Sequence, residues 1–278
     1  LLLYMKIPKV LFVKHCPNLS PERKVFLLEH LKERVPIEDI RWFEDYNHDH
    51  PFVEWVNKKL KLPYGVKLTS NLVKTLFMFK QVIDERIESA LFIDDDVVFH
   101  KDWVEILESI PDEVEKNGFI NLGTSHFYNL KPEKGNVYSL PNNGGCEGSW
   151  FSLECVIAFM SNLNIDQASD IVLHGFMMAQ GKPILNIPIC HQTSQIEQFT
   201  TLDHDTRKTG NWFEYVKKYK TLPKVNFNTL LKEFEVFKER KKRVDEKFYE
   251  LYGKKVDIKN INYIVDDDQE YHLNILEF

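Results

Sequence analysis

The sequence predicts an α/β protein, a mixed sheet flanked by helices, and three observations carry that prediction. Short apolar runs alternate with amphipathic stretches through most of the chain, the rhythm of a sheet wrapped by helices. One of those runs, Ala90-Leu91-Phe92-Ile93, ends in Asp94-Asp95-Asp96, and open α/β sheets gather their ligands beyond such strand ends. The composition, 43% apolar and 28% charged over 278 residues, supplies a full core. It excludes a disordered or collagen-like chain.

Residues 9–14 (KVLFVK) form the first expected strand. Ser20 and Pro21 supply a cap and a first-turn proline for a helix with Val25, Leu28 and Leu31 at helical spacing. A second strand covers residues 40–43 and ends in Glu44-Asp45. Thr69 or Ser70 then caps a helix whose apolar face is Leu72, Val73, Leu76, Phe77, Phe79 and Ile83, leading into the strand with the acidic end. A helix is expected over residues 102–116, with Val104, Leu107 and Ile110 inward, and a strand over 119–122. Residues 128–149, with Pro132, Gly135, Pro141, Asn142-Asn143 and Gly144-Gly145, read as a long functional loop. Two helices and a strand over 184–190 complete a domain expected at residues 1–212. Residues 213–278 are expected to be a C-terminal extension packed on it. Its helix, residues 227–255, sets Leu230, Phe234, Phe237, Val244 and Phe248 on one stripe, and a hairpin follows over 261–276.

Charge and cysteine usage narrow the partners. Forty-two acidic residues against thirty-six basic ones give −6, which disfavours nucleic acid, a partner that demands many phosphate-neutralising cations. Cys16, Cys146, Cys155 and Cys190 form no CxxC pair, so neither a zinc ribbon nor a disulfide framework is indicated and a reducing compartment is the default. The apolar opening LLLYM meets Lys6 and Pro8 before a signal-peptide core is complete. No run approaches the ~20 apolar residues of a spanning helix. A soluble or cytoplasmic chain without an integral membrane segment is expected, apart from any targeting segment upstream.

The acidic triplet is the strongest chemical signal. Three adjacent carboxylates repel one another and raise each other's pKa unless a cation neutralises them, and hard divalent cations prefer oxygen ligands. Mn2+ or Mg2+, together with the diphosphate of a nucleotide-sugar, is the expected guest. Asp266-Asp267-Asp268 is a second triplet, but its alternating flanks make it a hairpin turn.

A strand-helix opening with Arg23, Leu68-Thr69 at a helix start, a strand ending in the triplet, and a later Asp170 with Pro188 occur in that order over roughly residues 8–200. This order resembles the GT-A-fold glycosyltransferases, and within that fold is most similar to the lipopolysaccharide-type and procollagen galactosyltransferase family. The resemblance implies a GT-A-like, nucleotide-sugar-binding domain. It implies metal-dependent transfer of a hexose from a nucleotide-diphosphate sugar, UDP-glucose or UDP-galactose favoured, to a hydroxyl of a glycan or protein, with inversion preferred. It also implies that Asp96 coordinates the metal and that Asp94 lies near the ribose or a metal-bound water. Asp95 would point away or order the loop, and His191, after the late strand, would serve as a further metal ligand.

For the nucleotide, Asp45 would bond the base or ribose, while Lys14, His15 and Arg23 follow the first strand where phosphate charge is met. An inverting transfer needs a general base on the acceptor hydroxyl. Asp170, left available on a first helical turn if Asp166 is the cap, and Glu147, in a glycine-flanked segment, are the candidates. Trp150 beside that segment either stacks on a sugar or fills the core. Three alternatives remain. One is a non-catalytic carbohydrate-binding or scaffold protein. Another is a nucleotidyltransferase, for which no glycine-rich phosphate loop precedes the acids. The third is an Fe(II) oxygenase using His100, Asp102 and one of His174, His191 or His204, against which the strand-helix alternation speaks.

Overall fold

The computed structural model describes residues 7–123, 132–134, 137–139, 147–192 and 212–253. The chain divides into two compact units, with the boundary between Asn226 and Phe227.

The first unit is built on one mixed sheet, nine-stranded among the described residues. Its strands are β1 (Val10–Lys14), β2 (Asp39–Phe43), β3 (Ser89–Asp94), β4 (Val97–Phe99), β5 (Phe119–Gly123), β6 (Pro132–Lys134), β7 (Val137–Ser139), β8 (Gly148–Ser152) and β9 (Leu185–Gln192). They lie in the order β2-β1-β3-β8-β5-β9-β7-β6, with β4 paired to β9. β1 runs parallel to both β2 and β3, whereas β8 is antiparallel to β3 and β5. The helices between them are α1 (Pro21–Arg34), α2 (Pro51–Lys59), α3 (Val66–Asp84), α4 (Trp103–Glu108), α5 (Asp112–Glu115), α6 (Leu153–Ser161), α7 (Ser169–Ala179) and α8 (Trp212–Tyr219).

Strand alternation sorts the core into two chemically different layers. Leu11 and Val13 of β1 join Leu91 and Ile93 of β3 in a mainly aliphatic layer with Leu27 and Leu31 of α1. Phe12 and Phe92 leave by the other face and stack with ring centroids 5.1 Å apart. Phe79 of α3 and Phe151 of β8 meet Phe92 edge-on, both at 5.3 Å. Such pairs add about 0.5–1.5 kcal/mol each beyond area burial, so the strands that carry the acidic turn rest on a well-braced floor.

Several elements depart from the sequence expectation, each for a local reason. α1 buries Leu27 and Leu31, while Val25 is 62% exposed, because residue 25 lies on the far side of the helix from residue 27. α3 begins a turn earlier than expected, after Gly65. Thr69 and Ser70 sit inside it, with Thr69 Oγ1 accepting from Asn57 Nδ2 at 2.7 Å and Ser70 Oγ donating to the Tyr46 carbonyl at 2.7 Å. The helix expected over residues 102–116 is two helices. Pro111 is extended at φ −66°, ψ 147°, and a proline excludes the residue before it from helical geometry. The segment read as one loop over 128–149 contains the antiparallel pair β6 and β7 and the start of β8. Pro132 is tolerated there because β6 ends the sheet order. α7 is capped by Ala168 rather than Asp166, which instead receives Lys218 of α8 at 2.6 Å.

The second unit contains α9 (Phe227–Tyr252). Phe227, Leu230 and Phe234 are buried along one stripe, and the Phe234 and Phe237 rings stack at 6.2 Å. The hairpin expected over 261–276, with Asp266, Asp267 and Asp268, lies outside the described residues, as does His204. Among the described residues no helix is long and apolar enough to cross a membrane.

Candidate functional site

The strand order reverses at β1: the chain passes through α1 to β2 on one side, and β3 returns on the other. A crevice therefore opens beyond the carboxyl ends of β1 and β3, where the register sets Lys14 beside Asp94. It is an open cleft with two distinct walls.

The first wall is the end of the sheet. Lys14 Nζ lies 2.7 Å from Asp94 Oδ1. Burial pushes the Asp94 carboxyl up to about 6, an effect that Lys14 opposes and that Asp96 and Asp95 reinforce. Asp95 is clamped from two directions, by His15 Nδ1 at 2.7 Å and Arg23 Nη1 at 2.9 Å. The His15 ring is buried and edge-on to Trp42 at 5.7 Å. Asp96 Oδ2 accepts from Gln192 Nε2 at 3.2 Å, with Arg23 at 3.8 Å. Behind the turn, the Asp94 amide donates to the Glu147 carbonyl at 2.9 Å and the Phe99 amide donates to His30 Nε2 at 2.9 Å.

The second wall is one face of α3. Lys67, Ser70, Asn71 and Lys74 follow helical spacing and all line the cleft. Asn71 Oδ1 accepts from Ser169 Oγ at 2.8 Å and from Lys14 Nζ at 3.4 Å. Lys74 donates to the His15 carbonyl and to Asn47 Oδ1, the latter at 2.7 Å. Its burial lowers the pKa of the ammonium. Ser70 and Lys74 together tie down the loop after β2. There Tyr46 adopts φ 58°, uncommon outside glycine, and its ring stacks on Phe77 at 3.9 Å.

Lys14, His15, Arg23, Asp94, Asp95 and Asp96 thus converge on one cleft. The other sequence candidates are not among its described lining residues. Asp45 is exposed at the margin, within electrostatic reach of Lys74. Asp170 occupies the first turn of α7, next to the Ser169 that bonds Asn71. Glu147 is 2% exposed and faces Gly123, where a Cβ would stand 2.3 Å from its carboxyl carbon. His191 pairs with Val98 in the β4–β9 ladder, and strand alternation turns its neighbour Gln192, not His191, toward Asp96. Trp150 is 1% exposed and belongs to the core. His174 is buried on α7, its ring 5.9 Å from that of Phe119.

Sequence reasoning missed Gln192 and the whole α3 wall. The signal for α3 was present as Lys67, Ser70, Asn71 and Lys74 recurring at i, i+3, i+4 and i+7 along one face. Gln192 becomes visible only once the register of β9 is known.

Among the described residues no group of three or more His, Cys, Asp or Glu side chains is arranged to hold a metal ion. Asp95 is committed to His15 and Arg23. The remaining donors, Asp94 and Asp96, are two hard carboxylates at the cleft. That set fits Mg2+ or Mn2+ when substrate phosphates supply further ligands, the usual way such ions bind with one or two carboxylates.

No protein-family model and no curated protein matches the chain. Solved structures similar to it include A197 from STIV, at 10% identity and a TM-score of 0.40, covering 66% of this chain and 83% of that one. Mannose-1-phosphate geranyltransferase from Thermus thermophilus is similar at 13% identity and a TM-score of 0.35, covering 78% and 68% respectively. A glycosyltransferase involved in the glycosylation of the major capsid of PBCV-1 is similar at 8% identity and a TM-score of 0.33, covering 76% and 98%.

Proposed function

We propose that this chain is a glycosyltransferase that moves a hexose from a nucleotide-diphosphate sugar to a hydroxyl of a glycan or protein acceptor. One observation carries the reading: a strand-end turn of three aspartates faces cations from β1, α1 and α3 across a single open cleft. Departure of a nucleoside diphosphate develops negative charge on its oxygens, and fixed cations at that point lower the barrier. Lys14 and Arg23 supply such charge from the sheet wall.

Asp94 and Asp96 would hold Mn2+ or Mg2+ jointly with the donor. When bound, that ion supplies Lewis-acid stabilisation of the leaving diphosphate. Asp95 has a different part. Held by His15 and Arg23, it fixes the turn so that the two flanking carboxylates stay at the cleft. Asp170 is preferred to Glu147 as the base that takes the acceptor proton, because it is near the cleft edge whereas Glu147 is packed against Gly123. A UDP-sugar is the favoured donor and inversion the favoured outcome.

The test is a panel of nucleotide-sugars incubated with the protein in manganese and in EDTA. Release of nucleoside diphosphate from a UDP-hexose in manganese, and its loss in EDTA, is expected. Absence of turnover across the panel, with UDP affinity unaltered in Asp96→Ala, would overturn the reading.

A further inference from the structure

Lys74 stands apart from the other cations of the cleft. It is 4% exposed, yet it lines the open space. An ammonium has three N–H donors, and here two of them go to neutral acceptors, the His15 carbonyl and the Asn47 side-chain oxygen. Among the described residues no carboxylate stands within ion-pair distance of it, and its acidic neighbours Asp95 and Asp45 act only at longer range. Lys14 and Arg23, in contrast, each touch an aspartate. A buried charge without a counter-charge is costly to keep, and a protein that keeps one at the bottom of a cleft gains if a ligand brings the missing anion.

We propose that Lys74 is an anion anchor whose third donor and uncompensated charge take a phosphoryl oxygen of the ligand. A lysine suits this part because it binds phosphate as a compact point charge. Lys67 and Lys14 flank it in the same cleft, which favours an anion with several oxygens over a single carboxylate. The phosphoryl group is common to a nucleoside diphosphate and to free pyrophosphate. Assignment to the donor's diphosphate rests on the nucleotide-sugar reading, while the anion site itself does not.

Calorimetric titration of the full chain in magnesium buffer with UDP, uridine and pyrophosphate separates these possibilities. Lys74→Met is expected to weaken UDP and pyrophosphate by about 10- to 100-fold, the range for a hydrogen bond to a charged group, while uridine changes less than about twofold. Lys24→Met, whose lysine pairs with Glu44 away from the lining, should leave all three unchanged. A purely structural Lys74 would weaken uridine as well, and that result overturns the anchor. UDP and pyrophosphate affinities unaltered in Lys74→Met also overturn it, with the nucleotide reading intact. Lys74-dependent pyrophosphate binding with no UDP preference upholds the anchor and removes the nucleotide. No binding of either by the wild type removes both. Should Lys74→Met fail to fold, the wild type labelled at lysine 13Cε serves. The Lys74 resonance, assigned by its loss in Lys74→Arg, must move with pyrophosphate and stay fixed with uridine; an unmoved resonance rejects the proposal.

Discussion

The two walls of the cleft handle buried charge in opposite ways. On the sheet wall every aspartate of the turn meets a cation or an amide donor: Lys14 on Asp94, His15 and Arg23 on Asp95, Gln192 on Asp96. On the helix wall, Lys74 is held by uncharged oxygens alone among the described residues. On the first wall each carboxylate is braced by a neighbour, which fixes geometry; on the second, Lys74 keeps charge in reserve for a ligand. Truncating a paired ion strands its partner in a poorly solvated site, whereas truncating an ion without a counter-charge strands nothing charged. Substitutions that look alike on paper should therefore behave differently on the two walls.

The largest effect is expected at Asp96. Asp96→Ala removes a carboxylate assigned to metal and diphosphate, and turnover of a UDP-hexose should fall by about 10²–10³, the scale for losing one electrostatic stabiliser of a transition state. The thermal midpoint should move little, because the Asp95 clamp remains. Steady-state rates and a melting curve on one preparation check both halves. Equal loss of rate and fold would mean that the aspartate holds the turn rather than the chemistry.

Next comes Lys14→Met, which leaves Asp94 without its cation. Lys14 and Asp94 side chains are 10% and 25% exposed, so the cost should lie below the range for a fully buried pair, about 2 kcal/mol by urea unfolding at pH 8. Adding Asp94→Asn to Lys14→Met should recover most of it. Lys74→Met should cost less than half as much. If the two lysine variants prove equally damaging, the contrast between the walls is wrong.

What was legible from sequence follows the same division. Lys14, His15 and the aspartates sit at or just past the ends of apolar runs, and that position along a strand is local information. Arg23 follows a Ser-Pro helix start, equally local. The polar stripe that includes Lys74 is visible in the sequence, but its meaning, like that of Gln192, depends on contacts distant in the chain: which face of α3 packs against the loop after β2, and the pairing of β9 with β4. The break at Pro111 is local information as well, because a proline disfavours helical geometry in the residue before it whatever the helical spacing of Val104, Leu107 and Ile110. Ser70 shows the limit well. Read as a cap, it proves to be a tie between helix and loop. Ser70→Ala should lower stability by about 1 kcal/mol, the typical worth of one hydrogen bond. It should also weaken nucleotide binding more than it weakens pyrophosphate binding, if the Tyr46 loop meets the nucleoside.

The smallest expected effect is carried by pH and concerns only the support of the sheet wall. His30 Nε2 accepts the Phe99 amide, so the imidazole must be neutral on that nitrogen. Burial, followed by the Arg34 charge, lowers its pKa from the ordinary 6.5. The unfolded chain then binds the proton more readily than the folded one. His30 stabilises the fold above about pH 6.5 and loses that contribution as pH falls through the depressed value. Asp94, pushed up to about 6 by burial, works in the reverse sense: its folded form takes a proton first, so its contribution improves as pH drops. The wild-type curve alone therefore blends two opposed slopes. His30→Gln keeps a side-chain acceptor for the Phe99 amide but has nothing to titrate. Between pH 7 and pH 5 its urea midpoint should fall by less than that of the wild type, or rise. Identical slopes would show that the folded histidine takes up its proton as readily as the unfolded chain does, and that its bond to the Phe99 amide contributes no pH-dependent stability.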